Sequence, residues 1–233
     1  MLESLKKEVF DANLELPKRG LIKYTWGNVS AFDEETGYFA IKPSGVDYES
    51  MTPDDIVICD LDGRVVEGDL NPSSDMPTHA VLYQSFKGLG SIVHTHSPWA
   101  TIWAQAGKDV DALGTTHADT FYGTIPCARY LSEEEVNTEY EKETGNVIVE
   151  TFHERGIDPV SVPGVLLHGH APFTWGSDAK KAVMNAVVLE EVCKMNYYTQ
   201  ALNPNAHVLP DFILDKHFER KHGENAYYGQ KNR

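Results

Sequence analysis

The chain has 233 residues, of which 20 are basic and 35 acidic, and its formal net charge is -15. That length suits one large domain with a hydrophobic core. The excess of negative charge argues against binding to nucleic acid or anionic membranes through bulk electrostatics. An anionic substrate would therefore need a local pocket of backbone N–H groups and a few cations.

The cysteines and the apolar segments predict a soluble cytoplasmic protein. Cys59, Cys127 and Cys193 are odd in number and form no Cys-x-x-Cys unit, which favours reduced thiols over a disulfide framework. The first residues lack the apolar stretch of a signal peptide, and no apolar run reaches the length of a membrane span.

Taken in chain order, the pattern mixes helices and strands without strict βαβ alternation. An amphipathic helix opens the chain and is expected to end at Pro17. Strand-forming segments follow, and Asp62-Gly63 predicts a hairpin turn between two of them. Helices are then predicted at 77–86, 100–106, 133–152, 179–195 and 215–222, and strands at 91–96 and 165–170. The mixture favours a single α/β domain with a mostly antiparallel or mixed central sheet flanked by helix layers.

Two short histidine pairs, His94-Thr95-His96 and His168-Gly169-His170, each follow a strand-like run. Residues i and i+2 of a strand project from the same face, so each pair can direct two imidazoles at one point. A catalytic zinc site typically has three protein ligands and an open position. The spacing predicts a metal site but does not choose between His168 and His170. Satisfied core or surface histidines are the alternative.

Two polar segments are candidates for a carboxylate and an anion pocket. Asp75 precedes a predicted helix, and Ser73 or Ser74 could cap that helix or help to seat a phosphate at its N-terminus. Lys42, with Ser44 and Gly45, could supply a similar pocket, although Pro-Ser-Gly is also an ordinary turn. Trp26-Gly27-Asn28 is weak evidence by itself.

Two further segments carry titratable groups. Asp119 lies in a polar stretch bracketed by glycines, where a general acid/base and a turn-stabilising residue are equally plausible. The polar C-terminal segment contains the consecutive tyrosines Tyr227 and Tyr228. A solvated helix with a fraying end is the simpler interpretation. The paired tyrosines favour docking against something, such as a neighbouring subunit.

Several of these stretches, in this order, resemble the class II (zinc-dependent) aldolase/epimerase superfamily, and the resemblance runs nearly end to end. Each stretch is weak alone, but their number and order make the set specific. They are TWGNVS at 25–30, IKPSGV at 41–46, PSSD at 72–75, IVHTHS at 92–97, GTTHAD at 114–119, ETGNVIVE at 143–150, DKH at 215–217 and the tail YGQ at 228–230.

The resemblance implies one divalent metal, usually zinc with manganese or cobalt as substitutes, and no organic cofactor. It implies His94, His96 and His170 as ligands, with Asp75 at or beside the metal and His168 as a neighbour. Substrate and phosphate would bind at Gly27, Asn28, Lys42, Ser44, Gly45, Ser73 and Ser74. Asp119 and Tyr228 would be the acid/base groups with His217 near them. The family also implies a homotetramer with sites between subunits, to which residues from about 215 to 233 contribute.

The implied reaction is the inversion of L-ribulose 5-phosphate at C4, which gives D-xylulose 5-phosphate, in the catabolism of L-arabinose or L-ascorbate. Related fuculose phosphate aldolases carry a glutamate where this chain has Asp75, so the aspartate favours epimerisation. Two alternatives stay open: an aldolase that releases its aldehyde, and a non-catalytic interaction domain like that of the cytoskeletal relatives, which need not keep the metal histidines.

Overall fold

A computed structural model describes residues 2–229. The strands are β1 (Gly27–Asp33), β2 (Tyr38–Ile41), β3 (Val57–Asp60), β4 (Val65–Glu67), β5 (Ser91–Thr95), β6 (Cys127–Ala128), β7 (Gly164–Leu167) and β8 (Pro172–Gly176). The helices are α1 (Glu3–Lys18), α2 (Met76–Ser85), α3 (Pro98–Ala106), α4 (Thr115–Ala118), α5 (Glu133–Asn137), α6 (Tyr140–Arg155), α7 (Ala179–Leu202) and α8 (Asp211–His222).

One eight-stranded sheet runs through the molecule in the order β4-β3-β2-β1-β5-β8-β7-β6. Neighbouring strands are antiparallel except β6 and β7, which are parallel. The predicted α/β class with a mostly antiparallel, mixed sheet is therefore confirmed. The pairing of β1 with β5 lies at the centre of the sheet; β5 contains His94, and His96 follows it.

The sheet has a separate hydrophobic layer on each face because side chains alternate along its strands. Phe39 and Ile41 of β2 pack in the layer that contains Leu82 of α2. Ala40, between them, packs in the layer that contains Val9 of α1. Helices therefore cover both faces, as predicted.

Several boundaries differ from the sequence prediction: α3 begins at Pro98, α7 continues to Leu202 and α8 begins at Asp211. Three other differences have a clear physical reason or consequence. The first helix continues through Pro17 to Lys18, since a proline in the last turn removes only one backbone hydrogen bond. The helix predicted at 133–152 is two helices, α5 and α6, separated at Thr138 and Glu139. The strand predicted to include both His168 and His170 ends at Leu167, so this pair lies in the turn before β8.

All three cysteines are buried and free. Within residues 2–229, no helix combines the length and apolar character needed to span a membrane.

Candidate active site

Three imidazoles meet beside the central strands. His94 lies near the end of β5, His96 follows that strand, and His170 comes from the turn between β7 and β8. Their potential donor atoms all lie within 4.8 Å of one another. The Nε2 atoms of His94 and His96 are 3.2 Å apart, and the His170 ring centroid is 5.1 Å from each of the other two. The i, i+2 spacing of the first pair thus brings two imidazoles together, as predicted.

The His94 ring is fixed on two sides. Its Nδ1 lies 3.0 Å from the carbonyl oxygen of Pro172, so Nδ1 carries the proton and donates it. The ring also stacks on Phe173 with centroids 4.2 Å apart. The Nε2 lone pair is therefore free to face His96 and His170, which is the arrangement that metal-binding histidines usually have.

The donor set fits a divalent transition metal. Burial, with a further effect from His94, lowers the pKa values of His96 and His170 to about 4, so both rings are neutral near pH 7. Neutral imidazoles offer lone pairs, and three of them are typical of a catalytic zinc site. The Nδ1 atom of His170 is buried and has no hydrogen-bond partner. A bound cation at this cluster would compensate for such unsatisfied polar groups.

His168 does not belong to the cluster. The strand spacing that suggested it fails for the second pair, because the chain turns after Leu167. The His168 ring stacks instead on Tyr130, with centroids 3.6 Å apart. Of the two histidines that the spacing left open, the structure brings His170 to the first pair.

Asp75 lies beside the three histidines, although the donor set found within residues 2–229 does not include it. It precedes α2, yet its side chain makes no capping hydrogen bond. Its carboxylate accepts a 2.7 Å hydrogen bond from Asn28 Nδ2. Burial favours the neutral acid, but the nearby His94 and His79 and the bond from Asn28 outweigh burial and keep the Asp75 pKa below its usual range. Its role as a ligand stays a prediction.

Gly27 and Asn28 reach the site because β1 pairs with β5, which places them opposite Thr95 and His94. Gly27 has a φ of 136°, a conformation that favours glycine. A Cβ there would lie 2.6 Å from the carbonyl oxygen of His94. Close packing against β5 and the positive φ therefore explain why glycine occupies position 27.

Lys42 is only 1% exposed, although it borders the site. Its Nζ donates to the carbonyl oxygens of Val46 at 2.6 Å and Pro43 at 3.2 Å. It also lies 4.8 Å from the Tyr48 ring centroid. Burial lowers the Lys42 pKa to about 8, against the opposing effect of Asp47. The ammonium group is thus charged at neutral pH and incompletely solvated.

A cavity of about 630 Å³ joins the histidines to the polar loops. Its lining includes eleven of the predicted site residues: Gly27, Asn28, Lys42, Ser44, Gly45, Ser73, Ser74, Asp75, His94, His96 and His170. Tyr140 and Glu141, at the start of α6, also line it and were not predicted. The break between α5 and α6 places Tyr140 and Glu141 at the start of a helix beside the cavity. The sequence prediction of one continuous helix over 133–152 put them in the middle of a helix and so did not single them out.

Asp119, His217 and Tyr228 come together in a second cluster, outside the lining of this cavity. His217 Nδ1 is 3.0 Å from an Asp119 oxygen, and Arg220 Nη2 donates to the same carboxylate at 2.7 Å. Lys221 Nζ lies 3.3 Å from Asp119 and 4.3 Å from the Tyr228 ring centroid. Arg220 and Lys221, which the sequence analysis missed, therefore link the predicted acid/base groups.

The Asp119 carboxyl group is ionised in this cluster. Partial burial would raise its pKa, but hydrogen bonds from Arg220, His217 and Lys221 outweigh that effect and lower it. The predicted contribution of the tail can be followed only to Gly229, since residues 230–233 lie outside the described part of the chain.

Comparisons with known proteins agree with this geometry. The family model described as Class II Aldolase and Adducin N-terminal domain matches residues 7–197. The L-ribulose-5-phosphate 4-epimerase UlaF of Salmonella paratyphi C (strain RKS4594) is 57% identical over 230 residues, which cover 99% of this chain and 100% of that protein. Its counterpart in Salmonella typhi is 56% identical with the same coverage.

Solved structures show the same fold. An L-fuculose 1-phosphate aldolase superposes with a TM-score of 0.78 and 25% identity, covering 93% of this chain and 95% of the other. The L-fuculose-1-phosphate aldolase of Thermus thermophilus gives a TM-score of 0.67 at 22% identity, over 88% and 98% of the two chains. With a family model that spans most of its length and relatives above half identity end to end, this chain belongs to the class II aldolase and adducin N-terminal domain family.

Proposed function

We propose that this chain is a metal-dependent epimerase that interconverts L-ribulose 5-phosphate and D-xylulose 5-phosphate by opening and re-forming the C3–C4 bond. The observation that carries the proposal is one cavity that contains both a three-histidine cluster and the Lys42 and Ser73 loops. The full-length relatives named L-ribulose-5-phosphate 4-epimerase support the choice of reaction.

The chemistry explains why such a cavity suits this reaction. The C4 hydrogen is not acidic, since the C2 ketone is two bonds away, so direct deprotonation at C4 is unfavourable. Cleavage of C3–C4 leaves the electron pair on the enediolate of dihydroxyacetone and turns C4 into the aldehyde of glycolaldehyde phosphate. A divalent metal at His94, His96 and His170, with zinc as our choice and manganese or cobalt as substitutes, would supply Lewis-acid stabilisation of the developing negative charge.

The polar loops would hold the phosphate while the aldehyde turns. Lys42 offers a charge, Ser44 and Ser74 offer hydroxyls, and Gly45 allows close approach of the backbone. Gly27, Asn28 and Ser73 complete the pocket, and the bonds of Asn28 Nδ2 to Asp75 and Ser73 keep that side of the cavity ordered. Retention of the phosphate keeps the aldehyde close to the enediolate, so that the bond re-forms on its other face.

Two proton carriers are needed because the C4 oxygen is approached from opposite sides. We assign this work to Asp119 and Tyr228, with His217 orienting Asp119. Their cluster is absent from the cavity lining within one subunit, so we propose that it faces the cavity of a neighbouring subunit in a homotetramer. The whole chain, 1–233, would then act as one domain whose tail, from about residue 215, completes a neighbour's site. The free, buried cysteines support a cytoplasmic location.

The decisive experiment is an assay on L-ribulose 5-phosphate with and without a chelator, following D-xylulose 5-phosphate and free glycolaldehyde phosphate separately. We expect xylulose 5-phosphate to form, no net release of the aldehyde, and loss of activity with chelator that zinc restores. Net release of glycolaldehyde phosphate would instead indicate the aldolase that the fuculose phosphate aldolase fold allows. Absence of bound zinc and of turnover would favour a non-catalytic domain.

A further inference from the structure

His168 is fixed in the turn that carries His170, although it is not part of the histidine cluster. The turn is closed by two backbone hydrogen bonds, from Leu167 N to the Ala171 oxygen at 3.1 Å and from His170 N to the Leu167 oxygen at 2.9 Å. Two more backbone bonds attach it to neighbouring segments, from His168 N to the Ala128 oxygen at 3.1 Å and from Gly169 N to the Ala104 oxygen at 3.0 Å. At its tip, Gly169 has a φ of 73°, a region that favours glycine. The direction in which His170 leaves this turn decides whether its ring reaches His94 and His96.

The His168 side chain is closely packed. It stacks on the Tyr130 ring at 3.6 Å between centroids, with 23° between the planes. It also lies close to Gly107, where a Cβ would lie 2.4 Å from His168 Nε2. The turn itself is equally close to Tyr130, since a Cβ on Gly169 would lie 2.4 Å from Tyr130 Cε1. Two glycines thus leave the space that this stacked pair occupies.

His170, in contrast, meets the aromatic rings of Tyr140 and Phe173 only at 6.4 Å between centroids. His94 is held by the Pro172 carbonyl and by the face of Phe173. Within residues 2–229, no hydrogen bond reaches either ring nitrogen of His170, and its Nδ1 is buried without a partner. A metal-binding histidine normally has an outer partner that fixes its ring. Here the backbone of the turn takes over that role, and the stacked pair holds the turn together with the backbone bonds to Ala104 and Ala128.

We infer that His168 is a positioning residue for the third ligand: by stacking on Tyr130 it fixes the turn, and thereby the direction of the His170 imidazole. The inference rests on the proposed metal site and goes beyond its ligand set. It also gives Tyr130, which is 57% exposed, a reason to lie against the turn.

Zinc affinity is the direct test, measured by competition with a chromogenic chelator on the purified full-length protein. We expect His168→Ala and Tyr130→Ala each to weaken zinc binding by about 10–100-fold, the range typical of outer-shell changes at metal sites. Tyr130→Phe keeps the stacked ring and should bind zinc like the unmodified chain. His207→Ala, at an exposed histidine elsewhere, is the matched control and should also bind normally.

Two measurements separate positioning from general stability. The visible spectrum of the cobalt-loaded protein should change in His168→Ala and stay unchanged in Tyr130→Phe. The melting temperature of the metal-free protein should fall by no more than a few degrees in His168→Ala. Unchanged zinc affinity in His168→Ala would overturn the inference. So would additivity: if the two side chains act as a pair, the variant with both His168→Ala and Tyr130→Ala should lose less zinc-binding free energy than the two single variants lose together. Should His168→Ala fail to fold, Tyr130→Ala decides the question alone.

Failure of this inference is distinct from failure of the proposed function. If the unmodified chain binds no zinc, the proposed metal site is wrong. If it binds zinc and His168→Ala binds it equally well, the metal site stands and only the positioning role of His168 is lost.

Discussion

At the scale of single residues, Lys42 combines burial with a charge beside the cavity in which we propose that the phosphate binds. Its ammonium group donates to two carbonyl oxygens near the cavity, and only 1% of the residue is exposed. A poorly hydrated cation gains more from a phosphate dianion than one in bulk water, because less solvation is lost on binding. The same burial lowers the pKa of Lys42 to about 8, so the ammonium group begins to lose its proton only slightly above neutral pH.

We therefore expect kcat/KM to fall as the pH rises through about 8, since Lys42 is protonated below its lowered pKa and neutral above it. Lys42→Met should raise KM for the sugar phosphate and remove this alkaline limb. A pH profile of kcat/KM for both proteins checks the prediction. An unchanged KM in the variant would contradict a role in phosphate binding.

His96 gives the second residue-scale prediction. It follows β5, and its neutral ring is one of three donors in the cluster. His96→Asn should weaken zinc affinity by more than the 10–100-fold of an outer-shell change, and activity should fall with zinc content. Metal analysis beside the epimerase assay provides the test. Full activity in a zinc-free variant would exclude the metal from the reaction.

At the scale of elements, α8 is joined to the segment after α4 through Asp119 and through Tyr122, which bonds Asp215 and packs on Phe218. Arg220 donates to both oxygens of the Asp119 carboxylate, and its own backbone oxygen accepts from Tyr228 N at 3.1 Å. Helix α8 buries none of its residues completely, so these polar contacts carry much of its attachment. The position of Tyr228 therefore depends on Arg220.

Arg220→Ala removes the guanidinium that bonds Asp119 and lies 5.3 Å from the Tyr228 ring centroid, but keeps the backbone oxygen that accepts from Tyr228. We expect it to loosen α8 and residues 223–229 from Asp119 and to lower kcat with little change in KM, because Tyr228 would shift but the phosphate loops would not. Hydrogen exchange of this segment, measured with the kinetics, tests the expectation. Lys194→Ala, at an exposed position of α7, serves as the comparison. Normal protection of the segment in Arg220→Ala would show that other contacts hold the tail.

At the scale of the whole molecule, the predicted site is divided into two groups. The predicted metal and phosphate residues line one cavity, whereas Asp119, His217 and Tyr228 form a cluster outside its lining. Both groups are ordered by contacts within one subunit, yet the proposed reaction needs them together. A neighbouring subunit is the simplest way to join them.

Mixing two inactive variants tests this arrangement. His96→Asn damages the cavity, and Tyr228→Phe removes the proposed acid/base hydroxyl but should leave zinc bound. If sites are shared between subunits, co-refolded mixtures should regain up to about a quarter of the normal activity, because some interfaces then combine two intact halves. Each variant refolded alone is the control. Mixtures no more active than the separate variants would place all site residues within one subunit.

The sequence by itself determined those features that depend on local geometry. The i, i+2 spacing at the end of β5 brings His94 and His96 together, and the mixture of helices and strands without strict βαβ alternation predicts a sheet flanked by helix layers. Family resemblance added His170 and the acid/base groups, which no local pattern could select.

Only the tertiary structure decided what depends on where the chain turns and what packs there. The strand ends at Leu167, so His170 rather than His168 joins the first histidine pair. The break before α6 brings Tyr140 and Glu141 to the cavity, and α8 brings Arg220 to Asp119 across 101 residues of sequence. Such placements depend on contacts between segments far apart in the chain, and the local sequence pattern of one segment does not specify which distant segment it will contact.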